Sequence, residues 1–164
     1  MTFDNVVGII SALISLVASV CAAVALFQTK KYNKESLERQ RKEATIHAYQ
    51  TLQEQVLDKL VIINKTEIHN VINYKDESKE FLQIYNEYRA LIARCEHFAV
   101  GVNNNIYDFN VLVDLSGIHL VMLYNKLNPI IQCARSATYG KDAFKNFEIL
   151  VKELEKANEH LYEE

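Results

Sequence analysis

The stretch VVGIISALISLVASVCAAVALF, residues 6–27, decides how the rest of the chain is read. Its 22 residues include no charge, glutamine or asparagine. As a helix they span about 33 Å, against a bilayer hydrocarbon core of about 30 Å. A cleaved signal peptide would need a positive leading region and a shorter apolar run, and the N-terminus offers only Asp4. Ala23-Val24-Ala25 imitates a cleavage site and Cys21 a lipoprotein cysteine, but Ala18-Ser19-Val20 is a poor lipidation signal. The expectation is a retained, single-pass transmembrane helix.

The flanks give that helix a direction. Residues 28–42 hold Lys30, Lys31, Lys34, Arg39, Arg41 and Lys42 against Glu35 and Glu38, a balance of +4, and no basic residue precedes Val6. Basic residues beside a span tend to stay in the cytoplasm, so the N-terminus is expected outside and the C-terminal part inside. Such a collar also attracts anionic lipid headgroups, at about 1 kcal/mol per residue near the surface. Within the span, Gly8, Ser11, Ser15, Ala18, Ala22 and Ala25 recur at spacings of 3 and 4. A seam in which every residue is small lets two helix backbones approach closely, which points to a homo-oligomer.

Downstream, composition restricts the fold. One proline and four glycines among 164 residues leave few places for β-turns, and Leu, Ile, Val, Ala, Lys and Glu recur at helical spacing. The class is all-α, with room for one soluble core. The net charge of -3 conceals a balance of -6 from Glu43 onward. Nucleic-acid binders carry basic surface on the folded domain, so nucleic acid is not expected as a partner.

Residues 28–43 are polar on every side and read as a juxtamembrane stalk; the soluble domain is set at 44–164. Tyr49, Leu52, Val56, Leu60 and Ile63 form the apolar stripe of a first helix. A loop at Asn73-Tyr74-Lys75-Asp76 and a start signal at Ser78 precede a second, with Phe81, Ile84, Tyr88, Leu91, Cys95 and Phe98 on its face. Gly101 and Asn103-Asn104-Asn105 end it. Asp108 is placed to cap a third helix with the face Val111, Leu115, Ile118 and Met122. Pro129 is expected to stop that helix and open a short one through Ile130, Ile131 and Ala134. After Gly140 a last helix should present Phe144, Phe147, Val151, Leu154 and Leu161. Short connections favour an antiparallel helical bundle.

Recognisable chemistry is sparse. Cys21, Cys95 and Cys133 are odd in number and far apart, which suits a reducing compartment, with a Cys95–Cys133 disulfide as the alternative. No Glu-x-x-His occurs before His47, His69, His97, His119 or His160, and no His-Glu-x-x-His, so no metal or other cofactor is expected. Phosphate-loop and nucleophile-elbow patterns are also missing, and Gly117 reads as a close helix contact rather than part of a nucleophilic turn. The remaining polar set on the helix flanks is Glu96, His97, Asp108, His119 and Arg135. A carboxylate at a buried edge needs a partner, so a Glu96–Arg135 pair with Asp108 as a cap is expected; the alternative is a ligand site.

The order of several blocks resembles a bacterial family known as domain of unknown function 4760. They are Glu96-His97-Phe98-Ala99-Val100-Gly101-Val102, Ile106-Tyr107-Asp108, Tyr124 and Leu127 before Pro129-Ile130-Ile131, Arg135, and Phe144 with Phe147-Glu148 and Leu150, across roughly residues 80–155. The resemblance implies a short protein with one N-terminal transmembrane helix ahead of a helical domain. This chain departs from it at Asn103-Asn104-Asn105, where a turn glycine is expected.

Two functions follow as expectations. The first is a non-enzymatic module in the bacterial inner membrane that self-associates through its span and meets a cytoplasmic protein partner. The second is a ligand-responsive membrane effector, of a stress or anti-phage kind, binding a small molecule at Glu96, Asp108 and Arg135.

Overall fold

The computed structural model describes residues 3–61, 79–115, 117–137 and 140–161. They form α1 (Phe3–Gln55), a 3₁₀ turn (Leu57–Val61), α2 (Lys79–Asn103), α3 (Phe109–Asp114), α4 (Ile118–Ala137) and α5 (Lys145–Leu161). There is no strand among the described residues. Two compact units divide the chain, Met1–Gln40 and Arg41–Glu164. The expected loop at Asn73 to Asp76, the start signal at Ser78, and Ile63, His69 and Ser116 lie outside the described residues, as do the side chains of Ser11, Leu60, Phe81, His160 and Leu161.

The first unit is helix alone. Ile14, Leu16, Val17, Val20, Val24, Leu26 and Phe27 are all exposed. At about 3.6 residues per turn they occupy most of the circumference, so the apolar surface runs around the helix rather than along one stripe. Ser19 Oγ donates to the Ser15 carbonyl at 2.8 Å and Thr29 Oγ1 to that of Ala25 at 2.8 Å, so both hydroxyls are satisfied within the helix. This N-terminal helix is long and apolar enough to cross a membrane. The same α1 continues without a break through the stalk into the bundle.

In the second unit α2, α4 and α5 surround one core. Leu120, Leu123, Leu127, Ile130 and Ile131 of α4 and Phe147, Leu150 and Leu154 of α5 are fully buried, with Ile92, Cys95 and Ala99 of α2. Arg135, late in α4, meets Glu148 in the first turn of α5, while Gly117, just before α4, lies against Leu154. The two helices therefore run antiparallel. A Cβ on Gly117 would stand 2.7 Å from Leu154 Cδ2, so Gly117 makes the close helix contact its position suggested. Tyr49 and Leu52 of α1 and Val56 just after it join the core with the spacing read from sequence.

Two helix boundaries differ from expectation. The helix begun at Asp108 ends at Asp114, and the Gly117 N–H turns back to the Leu112 carbonyl at 3.1 Å. None of the expected stripe Val111, Leu115, Ile118 and Met122 is buried: the core takes Leu112, Leu120 and Leu123 instead, which leaves Ile118 39% and Met122 61% exposed. At Pro129 the opposite occurs, for α4 runs through it. A proline inside a helix costs roughly 3 kcal/mol. Here Leu127, Ile130, Ile131 and Ala134, all fully buried, hold both sides of it to the core, and the carbonyl left without its donor belongs to exposed Asn125.

The α2–α3 connection is where the chain is tightest. Gly101 O accepts from the N–H groups of Ile106 and Tyr107 at 2.9 and 3.1 Å. Asn105 takes φ 57°, so an asparagine supplies the left-handed residue where the family resemblance calls for glycine. The Tyr107 ring then folds over Gly101 and stacks on Phe98 at 5.4 Å and 20°. A Cβ on Gly101 would fall within that ring. Gly101→Ala is accordingly expected to displace Tyr107 and lower the stability of the bundle by about 1–3 kcal/mol in urea unfolding; an unchanged midpoint would contradict this packing.

Candidate functional site

The expected Glu96–Arg135 pair does not form. Phe144 precedes α5 with φ 58° and has no side-chain acceptor to offer the first N–H groups of that helix. It lies outside the helix, contrary to the reading that began the last helical face with it. Glu96 supplies the acceptor from α2 instead: Oε1 takes the Asn146 N–H at 3.1 Å and its Nδ2 at 2.8 Å, and Oε2 takes the Phe147 N–H at 2.7 Å. Asn103 Nδ2 adds a bond to the Asn146 carbonyl at 3.1 Å. A negative charge at a helix N-terminus is favourable both as acceptor and against the helix dipole.

Arg135 has its own partners. Its Nη2 donates to Glu148 Oε2 at 2.7 Å and its Nε to the Ala143 carbonyl at 2.9 Å. Hydrogen bonds from Lys152 and then Arg135 hold the Glu148 carboxyl below its ordinary range, working against burial. Beside it, burial and the Glu148 charge push the Tyr124 phenol up, and its ring meets Phe147 edge-on at 5.4 Å.

Asp108 forms a second joint. Its Oδ1 accepts from the N–H groups of Asn110 and Val111 at 3.1 and 3.4 Å, capping α3 as expected. Its Oδ2 accepts from Arg41 Nη2 at 2.8 Å. Its own N–H donates to Thr45 Oγ1 at 2.7 Å, and that hydroxyl donates to the Arg41 carbonyl at 2.7 Å. One turn of α1 is thus clasped to the α2–α3 connection. Arg41, read as part of the lipid-facing collar, belongs to this clasp; its Nε is buried without a partner among the described residues. The collar cations Lys30, Lys31, Lys34, Arg39 and Lys42 are exposed.

The structure therefore does not gather the five polar residues into one site: Glu96 and Arg135 hold different groups at the start of α5, and Asp108 lies at the α1 joint. Glu96, Asp108 and Arg135 each hold a helix end or joint, His119 is exposed on α4, and His97 is exposed on α2. His97 lines a groove of about 610 Å³ between α1 and α2, which no sequence motif marked. Its floor includes Leu52, Phe98 and Tyr107, and Arg94 stands one turn before His97 on its rim. No group of three or more His, Cys, Asp or Glu side chains able to hold a metal occurs among the described residues. Cys95 and Cys133 are free rather than bridged. Burial pushes the Cys95 thiol up to about 12, which makes it a core hydrophobe rather than a nucleophile.

Fold and joints together define a helical bundle entered by a long, apolar N-terminal helix. The chain belongs to the family described as Domain of unknown function (DUF4760), whose model matches residues 6–154 and so takes in the apolar helix as well as the bundle. No curated protein and no solved structure matches the chain.

The Asp108 clasp carries a pH signature. The Arg41 hydrogen bond, chiefly, holds the Asp108 carboxyl below its ordinary range. A depressed folded-state pKa contributes stability that is present above the unfolded value, about 3.9, and is lost as the pH falls through the folded one. Asp108→Asn should lower stability by roughly 1–3 kcal/mol at neutral pH. The gap between wild type and variant in thermal melts should narrow below about pH 4; a gap of constant size down to pH 2 would exclude a charged clasp.

Proposed function

We propose that this chain is a non-enzymatic, membrane-anchored interaction module that self-associates through α1 and offers its helical bundle to a protein partner in the cytoplasm. In this reading residues 6–27 cross the bacterial inner membrane with the N-terminus outside. Lys30, Lys31, Lys34, Arg39 and Lys42 meet anionic headgroups on the inner face. The observation that carries the reading is α1 itself, one unbroken helix that is apolar around its circumference at one end and part of the bundle core at the other. Inclusion of the apolar segment within the family match supports the same view.

Self-association draws support from the way charge is kept off one face of that helix. Gly8, Ser15, Ala18, Ala22 and Ala25 are exposed, and nothing stands within 4 Å of a Cβ built on Gly8. On an unbroken helix the stripe they define continues through Thr29, Asn33, Ser36 and Gln40, all uncharged, whereas every charged residue of the stalk projects elsewhere. Two parallel copies joined along this stripe keep their lysines and arginines out of the contact, since like charges placed opposite one another are destabilising. The non-enzymatic assignment rests on the engagement of Glu96, Asp108, Arg135 and Glu148 in joints.

The anchor is tested by alkaline carbonate washing of membranes, where the protein is expected to stay in the pellet; recovery in the supernatant would end the membrane reading. Self-association is tested by disulfide trapping in membranes in a Cys21→Ser background. Ser15→Cys, Ala22→Cys, Asn33→Cys, Ser36→Cys and Gln40→Cys should yield crosslinked dimers, and Lys34→Cys and Glu38→Cys should not. Equal yields around the helix, or a maximum on the charged side, would remove the proposed contact.

A further inference from the structure

The groove between α1 and α2 has the volume of a small-molecule site, which typically runs from about 300 to 1,000 Å³. Two small side chains give it depth, Ala48 on the α1 wall and Ala93 on the α2 wall. Beneath them lie Leu52 and the Phe98–Tyr107 stack, whose rings are 5.4 Å apart and inclined by 20°, an apolar floor with flat aromatic character. Arg94 and His97, three residues apart on α2 and therefore on one side of it, form the rim. No aspartate or glutamate among the described residues lines the groove, although the chain from Glu43 onward carries a balance of -6. An acidic bundle thus has one concave surface whose charged lining is cationic.

The geometry points to a binding site for a small organic anion with a flat apolar body. Its carboxylate or phosphate meets Arg94 and His97, and its ring lies against Tyr107 and Leu52. Arginine suits the head group because its planar fork matches either oxyanion in a bidentate contact. Tyr107 suits the body because an aromatic ring favours an offset-stacked partner, and Leu52 adds apolar contact. One wall of the site belongs to the turns of α1 that carry Ala48, Thr51 and Leu52. The site does not depend on self-association: the groove lies wholly within the second unit.

The test uses the full chain in phosphatidylcholine nanodiscs, with 6-fluoro-2-naphthoate as the probe and its fluorine NMR line width as the readout. Saturable broadening is expected, with the neutral 6-fluoro-2-naphthamide binding roughly fivefold more weakly, the scale of one partly exposed charge pair. Arg94→Gln, a change at an exposed position, should weaken the naphthoate by a similar factor and leave the amide unaffected. Ala93→Leu, checked for folding by its melting temperature, should fill the groove and weaken both probes by roughly tenfold. Lys141→Gln, the same loss of charge on the exposed turn before α5, should change neither. Equal affinity of the two probes, or undiminished naphthoate binding by Arg94→Gln, overturns the site. Loss of naphthoate binding when phosphatidylglycerol is added to the discs also overturns it, since a lipid headgroup would then be the occupant.

Discussion

A helix that begins on a residue without a polar side chain must find acceptors for its first N–H groups elsewhere, and the arrangement of this bundle depends on where α5 finds them. Its entry residue is Phe144, in a left-handed conformation that costs a non-glycine residue roughly 1–2 kcal/mol. The acceptors come from Glu96, 50 and 51 positions earlier in the chain. Since both carboxylate oxygens are used, the end of α2 is fixed against the start of α5 in angle as well as in distance. Arg135 completes the corner by holding Glu148 and the Ala143 carbonyl from the side of α4. Three helices are thereby joined at one end by charge-assisted bonds, and the apolar stripes below it pack in the register those bonds permit.

The other joint follows the same logic with the roles exchanged. Asp108 caps its own helix locally, but its second oxygen and its N–H reach across to Arg41 and Thr45. Thr45 has no exposed surface and both accepts and donates, so its hydroxyl is satisfied where an apolar replacement would strand the Asp108 N–H. The clasp engages α1 at Arg41 and Thr45, ahead of Tyr49, the first buried apolar residue of the second unit. Polar capture of the backbone precedes apolar packing by two turns of α1.

Much of this architecture was legible in the sequence because helical periodicity is a local property. The stripe Tyr49, Leu52 and Val56, the close contact at Gly117, the Asp108 cap and the all-helical class depend on residues a few positions apart. The failures share a different character. Met122 is misplaced because the face assigned to Val111, Leu115, Ile118 and Met122 is offset from the buried one, which runs through Leu112, Leu120 and Leu123, and Pro129 because burial on both sides outweighs a local helix penalty. Glu96 was recognised as a carboxylate in need of a partner, yet its donors are two backbone N–H groups, which carry no signature in a sequence, and the uncharged amide of Asn146. Arg135 was the cation on an apolar helix flank, four residues after Ile131, and a pairing argument between charged side chains selected it. The groove beside His97 was invisible for a related reason: Ala48, Ala93 and Tyr107 come from three separate segments, and an alanine announces nothing until a neighbouring wall shows what space it leaves.

The blocks on which the family resemblance rests gain a physical meaning from these joints. Glu96 at the head of the first block caps α5, Gly101 near its end receives the Tyr107 ring, and Tyr107-Asp108 in the second block supplies the stack on Phe98 and the grip on Arg41. Arg135, Phe144, Phe147 and Glu148 in the later blocks are the corner itself. A set of residues defined by joints constrains how helices meet and leaves the chemistry of the surfaces between them free. That is why the resemblance implied an architecture without a reaction, and why function in this chain has to be sought in what the joints leave open: the uncharged stripe of the first unit and, in the second, the groove that Arg94 lines.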